Sequence, residues 1–266
     1  MSSSQDFDGQ VSFFYLTKTA AVLAALKQRS YERLAVGKES RLLDLGCGPG
    51  GDVFALAGMI DPSGQITGFD NDIGMLKQAS TAGAHDALKD RAAFIQGNAQ
   101  DLPFQDNVFD GCRSERLFMH LDQPERTLAE MQRVTRPGGK IVVIDTDWLS
   151  LSIDTPFPAT ERALSEYRLA RVLKNGYSGR SLYRQFKQCQ LADVQVEVYP
   201  LCVTDLDLFY FLTMQEAIEE QALAAQWISA VQLEDWRREI RRAADAGCFY
   251  ASANMVMISA VKPEFT

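Results

Sequence analysis

The stretch Arg41-Leu42-Leu43-Asp44-Leu45-Gly46-Cys47-Gly48-Pro49-Gly50-Gly51-Asp52 constrains this chain more than any other. Leu42, Leu43 and Leu45 make the short apolar run that a strand covered on both faces requires. The glycines after it let the backbone bend sharply and approach a ligand without Cβ clashes. Such a turn feeding a helix builds a nucleotide-type site at the carboxyl end of a parallel sheet. Gly46, Gly48 and Gly51 also satisfy G-x-G-x-x-G, with which dinucleotide enzymes seat a pyrophosphate at a helix N-terminus. An NAD(P)-dependent oxidoreductase is therefore one reading of these glycines, and a plain strand–turn–helix without ligand is another.

The rest of the chain alternates strand and helix patterns. Strands are expected at 66–69, 93–96, 108–112 and 140–144, with helices at 72–81 and 123–135 between them. A helix over 13–35 precedes the first strand, after a polar and mobile first dozen residues. Beyond Asp145 the pattern changes. Pro156, Pro158 and Gly176 punctuate a partly helical insertion, and 181–190 reads as a core helix. Two helices are expected over 205–244, joined near Val231-Gln232-Leu233, and late strands at 194–198 and 254–261 suit an antiparallel pair at the sheet edge. The alternation implies a doubly wound α/β sheet.

Asp44 bears on the choice of ligand. A carboxylate beside the loop repels a pyrophosphate and suits a ligand that carries an ammonium group, as S-adenosylmethionine (SAM) does. The second strand ends at Asp70, about twenty residues past the loop, where an acid can accept two hydrogen bonds from a ribose diol. NAD enzymes and SAM enzymes share that geometry. Residues 42–50 resemble the first motif of the class I SAM-dependent methyltransferases. Asn98-Ala99-Gln100, residues 109–121, and the run from Glu125 through Pro137-Gly138-Gly139 to Ile144 resemble the family's later motifs. Asn175-Gly176-Tyr177-Ser178-Gly179-Arg180-Ser181-Leu182 is similar to an element of its small-molecule members, the ubiquinone/menaquinone-type or methyltransferase type 11 group.

The resemblance implies a Rossmann-like seven-stranded sheet with an antiparallel last strand and helical cap insertions. It implies SAM as cofactor and S-adenosylhomocysteine (SAH) as product. Asp44, Gly46, Cys47 and Gly48 would line the methionine side, with Ser114 and Glu115 beside the sulfonium and amino acid. Asp70 and Asn71 would hold the ribose, and Asn98, Ala99 and Gln100 the adenine. Asn98 stands where the family often has aspartate, and its carbonyl oxygen can still accept from an exocyclic amine. Phe13, Phe14 and Tyr15 could close over the cofactor or pack as core.

The expected reaction is in-line methyl displacement onto a small organic acceptor, possible at O, N or C, with a natural-product or quinone-like molecule as one case. A non-catalytic SAM-binding module remains a rival. His120, just after the fourth strand, and Asp147, just after the fifth, are the candidate catalytic groups. No metal is expected: five scattered cysteines and two histidines, His85 and His120, give no ligand spacing. A net charge of −8 argues against a nucleic-acid partner. Ser114-Glu115-Arg116-Leu117 stands where amino-methylating DNA enzymes place Asn/Asp-Pro-Pro-aromatic. Arg237, Arg238, Arg241 and Arg242 are interleaved with Glu234, Asp235 and Glu239, a solvated helix face. With no leader and no apolar run long enough for a bilayer, a cytoplasmic protein is expected. One methyltransferase domain is expected over 1–266: a helical segment 1–38, a SAM-binding core 39–148, caps 149–180 and 205–247, and the end of the sheet from 181–204 and 248–266.

Overall fold

The computed structural model describes residues 13–35, 37–83 and 89–264, with the side chains of Phe13 and Lys89 excepted. The expectations for residues 1–12, His85 and the Phe13 ring lie outside that set.

Leu42, Leu43 and Leu45 fall in β1 (Arg41–Leu45), where every residue after Arg41 is buried. It pairs in parallel with β2 (Gln65–Asp70) on one side and β4 (Phe109–Glu115) on the other, and β2 pairs with β3 (Ala92–Gln96). β5 (Thr135–Ile153) continues the parallel set beside β4. β7 (Ala251–Val261) runs antiparallel between β5 and β6 (Ala192–Val203), giving the order β3-β2-β1-β4-β5-β7-β6. The chain thus builds outward from β1 through β2 to β3, then returns to lay β4 on the other side of β1. A crevice opens at such a reversal, outside the carboxyl ends of the strands.

Strand alternation sends neighbouring residues to opposite faces. Leu43, Leu45, Ile141 and Val143 pack with Leu128 and Met131 of α5 (Pro124–Val134) and Leu182 and Phe186 of α7 (Ser178–Gln188). Leu42, Val142 and Ile144 pack on the other face with Leu26 and Leu34 of α2 (Ala24–Leu34) and Val53 and Leu56 of α3 (Gly51–Ala57). α4 (Ile73–Gly83) adds Leu76 to that layer. A third apolar cluster lies in the cap, between α6 (Pro158–Tyr167), α8 (Leu206–Thr213), α9 (Gln215–Ala224) and α10 (Ala230–Asp245), around Trp236, Phe209 and Ile218.

Three boundaries differ from the sequence expectation. The N-terminal helix breaks at Leu23 into α1 (Phe13–Val22) and α2. The 205–244 region holds three helices, not two. Met214, with φ of 50°, turns the chain between α8 and α9, and Ser229 caps α10 with a reciprocal Ser229–Gln232 capping box. β5 runs well past Ile144, because β7 keeps pairing with it to Asp147 and again at Ser152–Ile153 across an irregularity.

Candidate active site

The loop after β1 folds as its glycines allow. Gly46 and Gly48 carry φ of +74° and +50°, a region that L side chains rarely adopt. Gly51 is different: an added Cβ would meet nothing within 4 Å. The dinucleotide fingerprint needs its third glycine for close helix–strand packing, and no such packing exists here. The Gly48 N–H donates to Asp70 Oδ2 at 2.8 Å, and Asp72 N–H donates to Oδ1 at 3.0 Å, so one carboxylate joins the ends of β1 and β2. Leu16 of α1 would lie 3.4 Å from a Cβ on Gly48, which puts α1 over the loop.

Asp44 is buried, and its partner is on the next strand. Asp44 and Arg113 sit in register on β1 and β4, and Arg113 Nη1 lies 3.1 Å from Asp44 Oδ1. Arg113 also reaches Asp52 Oδ2 at 3.3 Å, Glu115 Oε2, and Ser30 Oγ at 2.8 Å. From α2, Lys27 Nζ bridges Asp52 at 2.6 Å and Glu115 at 2.9 Å, and Tyr31 donates to Asp52 Oδ1. Lys27, Ser30 and Tyr31 share one helix face by their i, i+3, i+4 spacing. Burial pushes the Asp44 carboxyl up to about 7, against the pull of Arg113. For Asp52 and Glu115 burial works in the same direction, but Arg113 and Lys27 outweigh it and hold both below the ordinary carboxylate range. Sequence reasoning missed Lys27, Asp52 and Arg113. The signal was Arg113 itself, a cation inside a strand that must be buried and therefore needs carboxylates beside it.

The other expected residues gather along the same edge. Ser114 is buried, and its Oγ has no hydrogen-bond partner among the described residues. Asn98 is exposed and accepts from the Gln100 N–H at 3.0 Å, an Asx turn. Ala99 packs on the core beside it. Asn71 is exposed, and its carbonyl accepts from Gln96 Nε2 at 3.1 Å. Cys47 is buried, and burial pushes its thiol up beyond the ordinary range. Tyr15 donates to the Leu212 carbonyl at 2.9 Å, and its ring packs on Phe211 at 5.3 Å and under Arg116 at 6.0 Å. Phe14 meets Phe211 edge-on at 5.8 Å but stays exposed.

Arg116, the residue after β4, is a non-glycine with φ of 53°. Left-handed backbone here costs about 1–2 kcal/mol and turns the chain into the short helical turn Phe118–His120. Asp145 on β5 fixes that turn by accepting the Met119 N–H at 2.8 Å. Burial pushes the Asp145 carboxyl up to about 7. Asn175 clamps it from the other side, donating to the Met119 and Phe118 carbonyls at 3.0 and 3.2 Å. His120 keeps an open face, yet its imidazole is held below the ordinary value by desolvation within the turn, then by the Arg116 and Lys174 cations. Asp147 is bound in a fork by Arg180 of α7, at 2.8 and 2.9 Å. The crevice thus brings together loop amides, the Asp70 carboxylate, the orphaned Ser114 hydroxyl and an acid-rich network, donors and acceptors of the kind that fit the zwitterionic end and ribose of SAM.

Comparison with known proteins agrees. Residues 43–143 match the family model described as "Methyltransferase domain". The demethylmenaquinone methyltransferase of Anoxybacillus flavithermus is 33% identical over 202 residues, 69% of this chain and 83% of that protein. An uncharacterized 37.1 kDa protein of a Streptomyces fradiae transposon is 29% identical over 92% of this chain and 70% of its own length. Other curated relatives are spanned over about half their length. The geranyl diphosphate C-methyltransferase of Streptomyces coelicolor, solved with geranyl diphosphate and SAH, superposes with a TM-score of 0.58 at 16% identity, covering 96% of this chain and 86% of that one. The chain belongs to the class I SAM-dependent methyltransferase family, and its cofactor is SAM.

Proposed function

We propose that this enzyme transfers the SAM methyl group to a small organic acceptor, and that the acceptor enters between the strand ends and the cap. The observation that carries the choice of donor is Asp52. It lies in the first turn of α3, held there by Lys27 and Tyr31, and places a carboxylate where dinucleotide enzymes seat a pyrophosphate. A phosphate at that helix start would meet like charge. The relatives' quinone and geranyl diphosphate substrates favour a small apolar-bodied acceptor. The net charge of −8 supports a reading without a nucleic-acid partner. No helix among the described residues is long and apolar enough to cross a membrane. The whole chain acts as one methyltransferase unit in this reading.

Bound SAM supplies a methyl group activated by its sulfonium. The protein's own part is to bind, orient and exclude water. Gly46, Cys47 and Gly48 would offer backbone groups, with Asp44, Ser114, Glu115 and Tyr15 on the methionine side. Asp70 and Asn71 would serve the ribose, and Asn98, Ala99 and Gln100 the adenine. Desolvation and the neighbouring Arg116 and Lys174 cations favour the neutral His120 imidazole, which can take a proton from an acceptor hydroxyl or amine. Asp147, fixed by Arg180, can orient one. Calorimetry with SAM and NAD tests the donor: NAD binding without SAM binding would refute it. SAH release across a panel of small hydroxyl and amine acceptors tests turnover, and silence throughout would leave a SAM-binding module instead. With an acceptor that turns over, His120→Ala should lower kcat by about 10²–10⁴ if His120 is the base, with SAM affinity unchanged.

A further inference from the structure

Among the described residues two guanidinium groups are buried, and they are treated in opposite ways. Arg113 is surrounded by three carboxylates. Arg168, 4% exposed, takes part in no ion pair among the described residues. It opens the π-helical turn Arg168–Val172 at the end of α6, a geometry often found at functional sites. One Nη donates to the Thr213 carbonyl and the other to Gln215 Oε1 at 2.9 Å, both neutral acceptors. The Nε–H has no partner among the described residues. Its plane lies 4.6 Å over the Trp148 ring.

The cap acid whose charge bears on it, Glu219, is engaged by other partners. Glu219 accepts from Tyr210, Gln215 and Trp236 on one oxygen and from Arg237 on the other. Arg168 reaches it only through the uncharged Gln215 amide. An unpaired buried cation is costly, several kcal/mol in real proteins, and burial pushes this guanidinium down to about 10.

The position of Arg168 says what the charge is for. Trp148 follows Asp147 on β5, and its Nε1–H donates to Met119 Sδ at 3.2 Å, in the turn after β4. Arg168 therefore stacks beside β5 at the residue after Asp147 and ties it to the α8–α9 junction of the cap. Tyr15 of α1 donates to Leu212, the residue before the Thr213 whose carbonyl Arg168 holds. An acceptor that enters between the strand ends and the cap would have to reach the buried Nε edge of Arg168.

We propose that Arg168 anchors a carboxylate carried by the methyl acceptor, through its Nε–H and a neighbouring Nη–H. The fork of a guanidinium matches the two oxygens of a carboxylate. The inference rests on the methyl-transfer reading and adds the chemical class of the acceptor. The competing role is a staple that only pins the α8–α9 junction around Met214.

The test titrates benzoate and its neutral isostere benzamide into the enzyme saturated with SAH. Benzoate should bind at least tenfold more tightly than benzamide. Arg168→Gln should abolish that preference and leave SAH affinity unchanged. Equal binding of the two probes, or binding of neither, overturns the proposal on the unaltered enzyme, whatever the variant does. A benzoate preference that survives in Arg168→Gln overturns it too. Failure of SAH itself to bind would sink the methyl-transfer reading and this proposal together, whereas SAH binding without benzoate preference would sink the proposal alone.

Discussion

At the scale of single residues, the site is governed by which buried charges have partners. Asp44 was legible as an acid beside the loop, but its pairing with Arg113 was not, because that needs the β1–β4 register. Arg113→Met would leave Asp44 buried without its cross-strand cation. Breaking a buried pair from one side costs about 3–5 kcal/mol, so the urea midpoint at pH 7 should fall accordingly. Acidification should restore part of the loss by protonating Asp44, and Asp44→Leu in the same chain should restore part of it without acid. An unchanged midpoint in Arg113→Met would refute the network as drawn. Asp145 makes a second prediction. Its folded carboxyl titrates near 7, against an ordinary value of 3.8. The folded state therefore holds a proton that the unfolded chain releases, and stability falls as pH rises between those values. The contribution is full below about 4 and gone above 7. Asp145→Asn stays neutral throughout, so its melting temperature should climb relative to the parent from pH 5 to pH 8. A difference independent of pH would count against the assignment.

At the scale of elements, the parallel half of the sheet could be read from the chain and the cap could not. Strands β1 to β4 carry their apolar runs and end at glycine or acidic punctuation. The α8–α9 break has no such mark, since the turn falls on Met214, which favours a helix as strongly as its neighbours do. The extension of β5 beyond Ile144 likewise depends on β7, a strand far along the chain. Asn175-Gly176 and Ser178-Gly179 were visible as an element, and the structure gives Gly179 its reason. A Cβ there would lie 2.7 Å from the Asp147 nitrogen and 2.9 Å from the Thr146 carbonyl carbon, so α7 packs directly on the β5 backbone. Gly179→Ala should push the two apart. We expect a loss of about 1–3 kcal/mol, the usual cost of overpacking, measured by thermal denaturation. The Arg180–Asp147 fork spans the same contact, so the variant should also lose acceptor turnover while SAH still binds.

At the scale of the molecule, three apolar clusters divide the work: two sandwich the sheet, and the third holds the cap together. The residues proposed for the cofactor lie at the carboxyl ends of the strands and beside α1, whereas α9 and α10 pack into the third cluster. That arrangement predicts how binding spreads. SAH at a hundred times its Kd stabilises the folded state by about 2.7 kcal/mol, and the gain should not be uniform. Amide hydrogen exchange should slow at the loop 46–50, at 70–72, at 97–100 and in the turn after β4, and also in α1, because Leu16 lies over Gly48. α9 and α10 should exchange as before, since their packing centres on Trp236 and Glu219 and not on the crevice. A carboxylate ligand added on top of SAH should then protect 168–172 and the Thr213–Gln215 junction, where Arg168 makes its bonds. Uniform protection on SAH alone would mean that cap and sheet respond as one body, and the division of labour between the clusters would have to be abandoned.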